Sequence, residues 1–153
     1  MQFTSNSFPT IKIGIIGAMI LTIVAITVPS LLRAGGAQRE GDAIRTLKML
    51  NMACAEYSVS FSQYPTALSD LQKGQNGILS STAADLIDSS LATGTKDGYV
   101  FTYVRGDGGN AYTISAHPVK THQTDARYFF TDQSGTIRFA IGQDADATAA
   151  PIL

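Results

Sequence analysis

Apolar and polar positions follow three rhythms along the chain, and each predicts a different element. From Ile13 to Leu32, twenty residues pass without a charge, most of them Ile, Leu, Val, Ala and Met. As a helix that run spans ~30 Å, about the hydrocarbon thickness of a bilayer, which predicts one membrane span or a helix buried all round. Gly14, Gly17, Thr22 and Thr27 offer small surfaces for close helix contact along it. Next, apolar residues recur at steps of three and four, at Ile44, Leu47, Leu50, Cys54, Tyr57 and Phe61, with Arg39, Glu40, Asp42, Arg45, Lys48 and Glu56 mostly between them. That spacing predicts an amphipathic helix continuing the apolar one. Pro29 and Gly35-Gly36 bend or loosen a helix without necessarily ending it, so one helix is expected from about Pro9 to Ser62. Tyr64-Pro65 stops it, because proline lacks the amide donor and disfavours helical geometry in the residue before it.

Thr66 to Gly98 reads as a long connection, with a short turn at Leu68 to Leu71, a break at Gly74 to Gly77 and a second short helix at Ala83 to Leu91. Beyond Gly98 the period changes to two. Tyr99 to Val104, Ala111 to Ala116, Ala126 to Thr131 and Thr136 to Ile141 have strand composition, separated by the turn sequences Gly106 to Asn110 and Asp132 to Gly135. Two successive hairpins make a small antiparallel sheet, and the stripe from Ile44 to Phe61 is the only long helical face able to cover it. The aromatic residues of these strands are expected in the core.

Composition adds one change to this picture. The chain has 153 residues, 15% charged and 44% hydrophobic, with a net charge of −1. Ten basic and all twelve acidic residues lie from Arg33 onward, so Lys12 is the one charge N-terminal to that point. No basic cluster suggests nucleic acid as a partner. A secretory signal peptide competes for the N-terminal run, but its apolar region is ~7–15 residues with a basic start. Here the run is longer and Met1 to Ser7 carries no basic side chain, which favours a retained anchor; Pro29 to Ala37 would otherwise have to serve as the cleavage region.

Chemistry-bearing residues are sparse. His117 and His122 flank Pro118 without a carboxylate at ligand spacing, and read as surface histidines. Cys54 lies on the apolar stripe with no histidine near it in sequence, which fits a small buried residue rather than a nucleophile. Asp144-Ala145-Asp146 and Asp107-Gly108-Gly109-Asn110 offer oxygens but no calcium-loop pattern, and read as solvated turns. No phosphate loop, paired catalytic carboxylates or nucleophile elbow is found, so neither an enzyme nor a cofactor is expected.

A long N-terminal helix, apolar first and amphipathic later, then a loop and a small antiparallel sheet, resembles the type IV pilin and type II secretion pseudopilin superfamily. The likeness is closest at Val28-Pro29-Ser30-Leu31-Leu32-Arg33, and continues at Leu86 to Tyr99 and Arg127 to Arg138, which look like segments of one bacterial pilin-like group. The resemblance implies an α+β, pilin-like fold: residues 1–7 a leader-like segment, 8–33 a transmembrane and assembly helix, 34–153 a globular domain. It implies a major or minor subunit of a pilus or pseudopilus, held in the inner membrane by a single pass with its C-terminal domain periplasmic or extracellular. Implied partners are other pilin or pseudopilin subunits, the prepilin peptidase and, indirectly, an assembly ATPase and platform protein. Some pseudopilins also carry calcium near the sheet.

Counting back from Pro29 at the family's spacing puts the candidate processing site between Ser7 and Phe8. Phenylalanine is usual as the first mature residue, whereas Ser7 replaces the usual glycine, Pro9 follows directly, and Lys12 stands where the family has glutamate. That glutamate is thought to meet the methylated N-terminal amine of a neighbour, a contact in which lysine is repulsive at low dielectric. Two readings of Lys12 remain: it snorkels to the inner headgroups, or it marks a tip-located minor subunit that needs no neighbour above it. The three departures also admit a different class of protein, a membrane-anchored binding or sensory domain that never polymerises.

Overall fold

The computed structural model describes the backbone of residues 9–74, 78–120 and 125–152, with side chains from residue 35 onward. The chain divides into two compact units, Met1–Ala37 and Gln38–Leu153. In the first, the backbone is helical from Pro9, the opening residue of helix α1 (Pro9–Phe61). Proline suits a first helical position, where its missing N–H has no intrahelical partner to lose. Ser62 then takes a left-handed φ of 58°, and the chain leaves the helix.

In the second unit, α1 turns one face inward. Ala43, Leu47, Leu50, Ala53, Cys54 and Tyr57 are buried, at the steps of three and four that keep side chains on one side of a helix. Ile44 and Phe61, expected in the same stripe, flank it half-buried. The stripe joins one core with Leu68, Leu71, Ile87, Leu91, Tyr99, Phe101, Tyr112, Ile114, Ala116, Phe129 and Ile137.

The sheet has six antiparallel strands in chain order: β1 (Thr95–Lys96), β2 (Tyr99–Arg105), β3 (Tyr112–Pro118), β4 (Arg127–Asp132), β5 (Arg138–Ile141) and β6 (Ala150–Pro151). Residues two apart share a face. Tyr99 and Phe101 on β2, Tyr112, Ile114 and Ala116 on β3, and Phe129 and Thr131 on β4 therefore point into the core. Register aligns Phe101 with Ala116 and Ala116 with Phe129, a continuous apolar row across three strands.

Several expectations are corrected. Among the described residues no helix is long and apolar enough to cross a membrane, which overturns the pilin-like architecture with a transmembrane half. The part of α1 with described side chains, residues 35–61, carries Arg39, Glu40, Asp42, Arg45, Lys48 and Glu56, and ionised groups at that density are too costly in hydrocarbon. In place of two hairpins there is a six-stranded sheet. Its extra first strand arises at Asp97-Gly98, whose φ values of 50° and 83° form the two-residue hairpin turn that Asp-Gly favours.

The expected short helix at Ala83 to Leu91 is also replaced. Only Ser89–Ala92 (α2) is helical, capped by the Asp88 carboxylate, which accepts from the Leu91 N–H at 2.8 Å. Residues 84–87 instead run beside the Leu68–Leu71 turn. Ala84 N–H donates to Asp70 C=O, Asp85 to Gln72, and Leu86 and Ile87 to Leu71. Asp85 at φ 55° interrupts any helical path there.

Candidate functional site

The inner side of the sheet is occupied by structural bonds. Asn51 on α1 donates its amide to Thr131 Oγ1 at 2.9 Å and accepts from Tyr112 OH at 3.0 Å, linking the helix to two strands through the core. Tyr57 OH donates to Ser81 C=O, Tyr99 OH to Arg127 C=O and Tyr103 OH to Pro65 C=O, each at 2.7–2.9 Å. Burial raises the Tyr99 hydroxyl to about 12, and raises those of Tyr103 and Tyr112 as well. The Cys54 thiol, fully enclosed, is likewise pushed up to about 12 by burial, which leaves almost no thiolate near neutrality.

The outer side is different. Thr102 on β2, Thr113, Ser115 and His117 on β3, and Tyr128 and Phe130 on β4 line a groove of about 570 Å³, with Asp144 and Ala145 at its margin. The loop after β5 brings these two residues there, held by Gly142 N–H donating to Ala126 C=O at 2.9 Å. Strand composition predicts Tyr128 and Phe130 in the core, and the alternation of β4 assigns them instead to the face opposite Phe129. Both faces of that strand are aromatic, so aromatic composition alone could not distinguish them.

A second groove, about 360 Å³, runs along α1 between Arg45, Lys48, Met49, Met52, Ala53, Glu56 and Leu86. Its exposed apolar residues are Met49 and Met52, the latter at 73%, and Val59 further along α1 is 85% exposed.

The remaining candidates fall as follows. Ser7 and Phe8 lie outside the described residues, and Lys12 and Pro29 are helical in backbone with side chains outside them. His117 is half-buried on β3, and His122 lies outside the described residues. Asp107 and Asn110 are exposed at the β2–β3 connection. Asp146 is exposed, and its carboxylate accepts from the Thr148 hydroxyl and N–H, which hold it below the usual carboxylate range. Among the described residues no three His, Cys, Asp or Glu side chains converge as metal ligands. The outer-face groove escaped sequence reading; its only local trace is the Tyr128 and Phe130 pair two residues apart.

No family model, no curated protein and no solved structure matches the chain.

Proposed function

We propose that the chain is a structural subunit of a type IV pilus or type II secretion pseudopilus, major or minor, that assembles through its N-terminal helical segment. The observation that carries this is sequence-borne: the uncharged run Ile13 to Leu32 passes into the amphipathic stretch Ile44 to Phe61 through Val28-Pro29-Ser30-Leu31-Leu32-Arg33. The self-contained core of Gln38–Leu153 supports it, since such a unit keeps its fold whatever surrounds the apolar run. In the filament, copies of that run pack against one another, and heterologous contacts that do not close generate a fibre. The role is structural rather than catalytic, and force comes from a separate ATPase and platform protein. Before assembly the chain resides at the inner membrane.

Intact mass and N-terminal sequencing of the full-length protein extracted from membranes test this. A mature chain beginning at Phe8, with or without a methyl group, is the expected result. A chain retaining Met1 to Ser7 overturns ordinary pilin assembly and favours the non-polymerising anchored domain, the reading that Ser7, Pro9 and Lys12 suggest. Lys12→Glu addresses the minor-subunit form, which expects altered incorporation into filaments; unchanged yield and position count against it.

A further inference from the structure

The outer face of the sheet assembles a chemistry that neither the core nor filament assembly uses. Tyr128 and Phe130 stand on the same side of β4, their Cα atoms ~7 Å apart, because successive strand residues alternate faces. Register sets Ser115 opposite Phe130 and Thr102 opposite Ser115, so a row of hydroxyls leads away from the Phe130 ring. Thr113 and His117 flank Ser115 on β3, and Asp144 also lines the groove. The inward tyrosines 57, 99, 103 and 112 all donate to protein acceptors. By contrast, the side chains of Thr102, Thr113, Ser115, Tyr128, His117 and Asp144 line the groove.

We infer that this groove binds a neutral saccharide. A pyranose has one C–H face and a rim of hydroxyls, which matches two aromatic side chains on one strand face in a lining that also holds hydroxyl, imidazole and carboxylate groups. Asp144 is the one charged residue of the lining, and Arg138, opposite Phe130 on β5, donates to Ala149 C=O at 2.9 Å, so no acidic group is required of the sugar. A quaternary ammonium would also meet aromatic rings and a carboxylate, but it has no use for the row of hydroxyls. This site lies wholly in Gln38–Leu153 and does not depend on whether the chain polymerises.

The test is isothermal titration of the full-length protein in a polyoxyethylene detergent, which carries no sugar headgroup, with cellotetraose, maltotetraose and chitotetraose as probes. Saturable binding of at least one is expected, with a Kd of roughly 0.1–1 mM. Tyr128→Ala and Phe130→Ala are expected to weaken it about tenfold or more, and Met52→Ala, on the other groove, to leave it unchanged. Should either aromatic variant lose its native circular dichroism, Ser115→Ala and Asp144→Ala serve instead, each expected to weaken binding about threefold or more. Absence of saturation by all three sugars up to about 10 mM overturns the inference. So does binding that is indifferent to the groove variants, or tetramethylammonium binding there more tightly than every sugar.

Discussion

Asn51 is the polar bridge between helix and sheet, and Asn51→Leu removes both of its bonds while keeping the number and branching of its side-chain heavy atoms. Thr131, 0% exposed, then has a buried hydroxyl whose partner is gone, and the Tyr112 hydroxyl loses its acceptor on a residue 3% exposed. Each lost bond is worth ~1 kcal/mol net, and stranding the enclosed Thr131 hydroxyl adds ~1–2 kcal/mol. The larger apolar surface of leucine returns ~1 kcal/mol. The expected loss is therefore ~2–3 kcal/mol. Adding Thr131→Val and Tyr112→Phe deletes the stranded groups, so the triple variant should return to within ~1 kcal/mol of wild type. Urea unfolding of the full-length variants in detergent, followed by circular dichroism, measures both. A single-variant loss below ~0.5 kcal/mol, or a triple variant less stable than the single, would refute the view that this network is enclosed and specifically paired.

Three further outcomes follow from the same structure. Phe129→Ala, at a fully buried centre of the sheet, should cost ~3–5 kcal/mol in the same unfolding measurement, whereas Val59→Ala, 85% exposed, should change stability by less than ~0.5 kcal/mol. Because the folded Cys54 thiol is raised to about 12, the unfolded chain releases that proton first; stability should fall from ~pH 8.5 toward 12 by up to ~1.4 kcal/mol per pH unit, and Cys54→Ala should remove that share. Asp88 is held well below the usual carboxylate range by the Ser90 hydroxyl, then Lys96 and the Leu91 N–H, so its contribution is present above ~pH 4 and is lost as pH falls through its folded value. Asp88→Ala should cost ~1 kcal/mol at neutral pH, and less in acid, by pH-dependent unfolding.

Much of this fold was legible because its signals are local. The steps of three and four from Leu47 to Tyr57 named the buried face of α1, and alternation located β2 to β4 to within about a residue or two at each end. The misses also have local causes. Asp97-Gly98 carries a hairpin turn at the end of the stretch whose composition reads as a long connection. At Ala83 to Leu91, helical composition lost to backbone bonds with residues 70–72, which satisfy the same amides without a helix. The transmembrane expectation rests on the length of an uncharged run, Ile13 to Leu32, whose side chains lie outside the described residues, and the charged residues of 35–61 do not extend it.

The groove was legible only in part. Tyr128 and Phe130 can be placed on one face from sequence, since the strand period is two. That this face is the open one, and that Thr102, Ser115 and Asp144 gather beside it, depends on which strands pair and in which register. A shift of one residue would exchange Phe129 for its neighbours and bury the other row.

By itself, then, the sequence determined the periods: an uncharged run, an amphipathic stripe and alternating strands, each a property of neighbours a few positions apart. Tertiary structure alone decided what those faces meet. Asn51 reaches partners 61 and 80 positions away, and four tyrosine hydroxyls are consumed in the core while Tyr128 faces outward. Hydrogen-bond satisfaction and groove formation involve groups that only folding brings within a few ångströms, so no local pattern encodes them.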